Sequence, residues 1–200
     1  RKQLIMKKLS HIESTMLPIP MSNIDTDQIM PKQFLKRVER SGYGEFLFYD
    51  WKKDGDFPLN NEDYKDSKVL IAGTNFGTGS SREHAPWGLQ DWGFDAIIST
   101  KFADIFKLNS INIGLLPIEA SKDIVEKLFQ KVTENPKTKI QVSVETKSVI
   151  CEEVEFNFFL DDFSQNRILN GIDKIDISLE YENKIDEFMQ NRNKWSPKLT

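Results

Sequence analysis

The sequence predicts an α/β protein in which a parallel sheet is built first and an antiparallel section follows. Three observations carry this. Val69-Leu70-Ile71-Ala72, Ala96-Ile97-Ile98 and Gly114-Leu115-Leu116-Pro117-Ile118 are short apolar runs, the pattern of strands covered on both faces. Helix signals lie between them, and that alternation is the mark of a parallel sheet with helices packed on it. Past Pro136 the period changes. Ile140-Gln141-Val142-Ser143-Val144 alternates apolar with polar, as a strand with one wet face does.

Taken in order, residues 1–5 look unlike the rest, and Met6 reads as a candidate native start. Leu9 to Pro20 reads as an opening strand bounded by proline. Ser22 to Ile29 is dense in short polar side chains that cap turns, so spacing alone reads as a tight loop. The functional alternative is that Asp25, Thr26 and Asp27 orient a neighbouring site loop. No EF-hand-like spacing supports a hard cation on the two carboxylates. Between Pro31 and Gly44 the cations Lys36, Arg37 and Arg40 end against two glycines, either a short solvated helix or a mobile segment over a site. Phe46 to Trp51 is aromatic enough to demand burial, and Asp54 to Asp66 reads as polar loop.

After the run Val69–Ala72, Gly73, Gly77 and Gly79 permit unusual backbone angles and close approach to a ligand. Ser80 or Ser81 suits the N-cap of a helix that carries Pro86 in its first turn and stops at Gly93. Phe102 to Leu108 reads as a short amphipathic helix, and Ser121 caps a helix through Val132 with Ile124, Val125, Leu128 and Phe129 at helical spacing. Val149 to Phe159 is expected to pair with 140–144 as an antiparallel hairpin. A helix follows Asp161 and ends at Gly171, Ile172 to Leu179 is mixed, and Tyr181 to Gln190 reads as a final helix. No repeat or linker divides the chain, so residues 1–200 read as one domain.

Composition narrows the function. The formal net charge of −4 lacks the basic excess typical of nucleic-acid proteins. No apolar run approaches the roughly 20 residues of a membrane helix, and Leu4-Ile5-Met6 is too short for a secretory core. Cys151 is the single cysteine, so no internal disulfide forms and a reducing, cytoplasmic setting is expected. One cysteine and two histidines, His11 and His84, cannot by themselves build a zinc or iron–sulfur site. Metal chemistry, if any, must come from another chain.

The stretch Gly77-Thr78-Gly79-Ser80-Ser81-Arg82-Glu83-His84-Ala85 concentrates the chemistry. Free amides at a helix start favour an anion, and Arg82 can grip a carboxylate or phosphate with two parallel hydrogen bonds. The dinucleotide fingerprint fails because Arg82 stands where its third glycine belongs, and a Walker loop fails for want of a lysine before Ser80. The nucleophile elbow lacks its second glycine. Ser80 or Ser81 with His84 has the spacing of a capping contact more than of a nucleophile and base. Two readings remain open on the residues alone: an anion-binding turn with a functional serine, and a purely structural cap.

Those nine residues resemble the signature of the small, swivelling domain of the aconitase superfamily, and the longer match resembles the bacterial 3-isopropylmalate dehydratase small-subunit family. The resemblance runs from Leu17 onward through Asn23–Ile29, Phe34-Leu35-Lys36-Arg37, Phe57-x-Leu59-Asn60, Phe102–Phe106 and Gly114-Leu115-Leu116. Phe46 to Asn60 looks like the longer bacterial form. The resemblance implies a three-layer swivelling β/β/α domain with a parallel central sheet and a second antiparallel sheet. It also implies a partner, a large subunit carrying a [4Fe–4S] cluster, in a heterodimer or heterotetramer, with no cofactor held by this chain.

The chemistry it implies is dehydration of a dicarboxylate and rehydration one carbon over, in leucine biosynthesis. Carried over by position, Ser80 is the base, and Ser81 and Arg82 hold substrate carboxylate. A serine alkoxide needs amides and cations around it. Asn75, Thr78 and Gly79 shape the turn, Asp25, Thr26 and Asp27 support it, and Glu83 and His84 stand behind it. The segment Phe34–Gly42 resembles the family's selectivity loop, with Phe34 or Leu35 meeting an isopropyl group. The alternatives are a related hydro-lyase of the homoaconitase or methylmalate type, a non-catalytic dicarboxylate-binding module, and a scaffold that associates through Phe46–Trp51.

Overall fold

The computed structural model describes residues 6–35 and 41–172. The chain opens with two strands where the sequence suggests one, β1 (His11–Ser14) and β2 (Met16–Ile19), separated only by Thr15. Their burial explains the break. β1 alternates exposed and buried residues, whereas every residue of β2 is buried, so the two belong to different sheets. After β2 comes α1 (Thr26–Ile29), then single 3-10 turns, β3 (Val69–Ala72), α2 (His84–Trp92), β4 (Ala96–Ser99), α3 (Asp104–Ile113), β5 (Leu116–Glu119) and α4 (Lys122–Glu134). The chain continues with β6 (Ile140–Ser143), β7 (Ser148–Cys151), β8 (Val154–Asn157) and α5 (Asp162–Asn170).

One sheet has the order β2-β3-β4-β5, parallel throughout, with Leu17 opposite Leu70, Leu70 opposite Ile97 and Ile97 opposite Pro117. β2, β3 and β4 have every residue buried, as the unbroken apolar runs require. Each fully buried Leu or Ile side chain contributes about 1.5–3 kcal/mol. The other sheet has the order β1-β6-β7-β8 and is antiparallel. The expected hairpin arm Val149–Phe159 is in fact two strands, because Glu152 turns the chain at φ +52°. From β2 onward the parallel-then-antiparallel division agrees with the sequence; β1, ahead of the parallel strands, joins the antiparallel sheet instead.

α4 begins where the sequence places it, with the Ser121 side chain accepting from the Ile124 amide. It lies against β2 and β3 and reaches the turn before β8, where Lys131 pairs with Glu152 and Glu153, each at 2.6 Å. α5 is capped by Asp161 and ends at Gly171 in the left-handed region. The aromatic stretch is buried in part: Leu47 and Phe48 are fully buried and Phe48 stacks on Trp51 at 5.3 Å, while Tyr49 stays exposed. No helix among the described residues is long and apolar enough to cross a membrane. The expected final helix Tyr181–Gln190, the cations Lys36, Arg37 and Arg40, and residues 1–5 lie outside the described residues.

Candidate active site

The loops that leave β2, β3 and β4 all emerge at the carboxyl ends of parallel strands, where α/β sheets bind their ligands. Main-chain bonds join them. The Gly77 and Thr78 amides donate to the Ile24 carbonyl at 2.7 and 3.1 Å, and the Thr26 amide donates to the Thr78 carbonyl at 2.8 Å. On the other side the Phe76 amide donates to Lys101 at 2.9 Å, and the Ala103 amide returns a bond to Phe76 at 3.0 Å. The buried Ser99 hydroxyl, 2.6 Å from the Gly73 carbonyl, holds the root of the loop.

Two glycines are dictated by space. A Cβ on Gly77 would lie 2.2 Å from Phe106 Cγ, at a φ of +77° that L side chains rarely adopt. Gly73 does not use a positive φ. It is small because the Met21 carbonyl passes 2.4 Å from where its Cβ would stand. Asn75 and Asn23 supply the other left-handed turns, at φ +62° and +59°, and Asn75 donates its side-chain amide to Asn23 at 2.8 Å.

Asp25, Thr26 and Asp27 stand at the start of a helix rather than in the expected tight turn, and Thr26 and Asp27 bond to the loop after β3. The Asp25 carboxylate accepts from the Gln28 amide at 2.7 Å while the Gln28 side chain accepts from the Asp25 amide at 2.8 Å. This capping box starts α1 and fixes the next two residues. The Thr26 hydroxyl donates to the Ser80 carbonyl at 2.9 Å, and Asp27 pairs with Arg82. Gly79, at φ +88°, lies against Asp25 and Thr26. Thr78 reaches the Ile24 carbonyl at 3.5 Å.

The serines do not cap α2. That helix opens at His84 behind Glu83, which makes no side-chain cap bond. The Ser80 carbonyl is held by the Thr26 hydroxyl, and this draws residues 80–82 toward α1 and delays the helix. Both serine side chains are left exposed. Arg82 lies 3.5 Å from the Ser80 hydroxyl, so a cation stands beside it. His84 turns away from the serines into an aromatic pocket, with ring centroids 5.3 Å from Tyr43 and 4.7 Å from Trp87. Burial lowers its pKa from 6.5, opposed by Glu83 and reinforced by Arg82. Among the described residues it makes no hydrogen bond to Ser80 or Ser81.

Ser80, Ser81 and Arg82 share a cleft of about 210 Å³ with Thr26 and with Ala103, Asp104, Ile105 and Phe106. These last four are the residue before α3 and its first three, and sequence reasoning missed them as site residues. The signal was the isoleucine: Ile105 is 53% exposed and lines the cleft, whereas Leu108, 59% exposed on the same helix, does not. Phe34 and Leu35 do not line the cleft. Phe34 stacks on Phe46 at 4.1 Å and meets Tyr49 edge-on at 4.8 Å, and Leu35 packs against the core. Among the described residues no three His, Cys, Asp or Glu side chains converge as metal ligands. Cys151 is buried away in β7.

Over residues 6–123 the chain matches the aconitase C-terminal domain family. It is 44% identical over 194 residues to the 3-isopropylmalate dehydratase small subunit of Rubrobacter xylanophilus, covering 97% of this chain and 100% of that one. The chain belongs to this small-subunit family. The corresponding small subunits of Salinispora arenicola and Thermobifida fusca are 42% and 43% identical, over 98% and 96% of this chain and 100% and 98% of theirs. A solved 3-isopropylmalate dehydratase from Methanocaldococcus jannaschii has the same fold, with a TM-score of 0.65 over 90% of this chain and 99% of that chain at 23% identity. The family resemblance first carried by nine residues therefore extends through both sheets.

Proposed function

We propose that the chain is the small subunit of a 3-isopropylmalate dehydratase and contributes one half of its active site. The observation that carries this is the cleft itself: two exposed serine hydroxyls and one guanidinium, held by main-chain bonds, on a scaffold of the small-subunit family. In this reading Ser80 Oγ accepts the carbon-bound proton next to a substrate carboxylate. Arg82 at 3.5 Å favours the charged form of that oxygen. Ser81 and the N–H groups of Arg82 not turned to Asp27 hold a carboxylate.

The side chains described here do not fit an iron–sulfur cluster, since the single cysteine is buried and no ligand group converges. The reading therefore assigns a [4Fe–4S] cluster to a large subunit and gives this chain the proton and the carboxylate alone. The loop bonded to α1 and to the residues before α3 keeps these groups aligned for both dehydration and rehydration.

The test is anaerobic reconstitution of the chain with a cluster-bearing large subunit, assayed with isopropylmalate, citrate and homoaconitate. The expected result is no turnover by the chain alone and preferential turnover of isopropylmalate by the pair. Tight, partner-independent dicarboxylate binding with no turnover by the pair would favour a sensor instead.

A further inference from the structure

We propose that Ile105 sets substrate preference by walling the end of the cleft that receives the substrate's aliphatic branch. This rests on the reading of the cleft as a substrate site. The cleft has two chemically different sides. Thr26, Ser80, Ser81 and Arg82 make one polar, and Ala103, Ile105 and Phe106 supply the apolar surface of the other. Among the described α3 residues that line the cleft, only Ile105 offers a large free hydrocarbon surface, at 53% exposure. Phe106 is 3% exposed and already packed on Phe76 at 5.3 Å, and Ala103 is short.

The charges agree. Arg82 is the only cation among the described residues lining the cleft, and it comes from the loop that carries the serines. The ionisable neighbour of Ile105 is Asp104, an acid. Lys107, two residues further along α3, is engaged with Glu119 at 3.1 Å. A carboxylate placed at this end would meet hydrocarbon and a negative charge, with no second cation among the described lining residues to receive it. An aliphatic branch would lose water against Ile105 at no such cost. The site thus selects a hydroxydicarboxylate with an apolar branch and rejects one with a third carboxylate. Phe34, which the sequence offered for this contact, is committed to Phe46 and Tyr49.

The experiment uses the reconstituted complex and compares kcat/KM for isopropylmalate, for its methyl-branched analogue citramalate, and for citrate. Ile105→Ala removes the contact made by the larger branch, so the isopropylmalate-to-citramalate ratio falls about tenfold. Ile105→Arg supplies the missing cation, so the citrate-to-isopropylmalate ratio rises at least tenfold. Ile105 is exposed, so both variants are expected to fold, and affinity for the large subunit is measured alongside. Unchanged ratios in both variants overturn the inference. So does an equal fall for all substrates together with weakened subunit binding, which would make Ile105 a docking contact. A wild-type pair inert toward isopropylmalate overturns the parent reading, and this inference with it.

Discussion

Asp27 on α1 and Arg82 in the loop after β3 form an ion pair that joins the two segments flanking the serines. Arg82 is largely covered, with 13% of its side chain exposed, while Asp27 is 40% exposed and is also approached by Lys32 at 3.6 Å. With Asp27 open to water on one side, the pair's attraction is screened and its contribution to stability is small. Its consequence is orientation: the guanidinium keeps one edge on Asp27 and has N–H groups left for a ligand.

Asp27→Asn frees Arg82 without removing it. The expected outcome is a rise in KM of about tenfold with a smaller change in kcat, and a melting temperature close to wild type. Asp27→Glu should recover part of the affinity. A mutant whose KM is unchanged would show that Arg82 needs no such anchor.

Ser80→Ala removes the proposed proton acceptor. In the reconstituted complex kcat is expected to fall by about 10²–10⁴, with isotope exchange at the substrate carbon lost in parallel. The fold should persist, because the Ser80 carbonyl, not its hydroxyl, accepts from Thr26. Wild-type turnover in this variant would sink the assignment.

Gly77→Ala places a methyl group against the Phe106 ring at a positive φ. Backbone strain of about 1–2 kcal/mol adds to overpacking of about 1–3 kcal/mol. Urea denaturation should show a loss of roughly that sum. Combining it with Phe106→Ala should relieve the steric part, so the two changes should cost less together than their separate losses add up to.

The pKa of His84 is lowered chiefly by burial, so the unfolded chain binds its proton more readily than the folded one. Its contribution to stability is intact above the unfolded value of 6.5 and is lost as pH falls through that value toward the lower folded one. His84→Phe should flatten this part of the profile. The check is the difference in unfolding free energy between wild type and variant at pH 7.5 and pH 5.5.

Cys151 is 1% exposed, and burial pushes its thiol up to about 11. At neutral pH the native chain should resist thiol-specific reagents, with labelling appearing only when the protein unfolds. Rapid labelling of the native protein would show that β7 opens readily.

The strands β3, β4 and β5 were legible within a residue or two, because unbroken apolar runs leave no other home than a doubly covered sheet. Ser121 and Gly171 likewise marked real helix ends. α1 was read as a loop although Asp25 and Gln28 have capping-box spacing, since one turn of helix carries no periodicity. The split at Glu152 was hidden because glutamate rarely takes a positive φ. Within the site, the local motif placed Ser80, Ser81 and Arg82 together. The Asp27 pairing and the Ile105 wall arise from segments distant in sequence, and only the packed sheet brings them to one cleft.

The register of β1 bears on how the chain is made. His11 is opposite Ser143, so β1 finds its partner only after the whole parallel sheet has been synthesised. β2 can pair with β3 much sooner. Until β6 emerges, β1 is a waiting edge tethered through Thr15 to a sheet that is already closing. Its alternation, with His11 and Glu13 facing water, keeps that edge soluble meanwhile. The polar face of β1 thus serves the nascent chain before it serves the finished one.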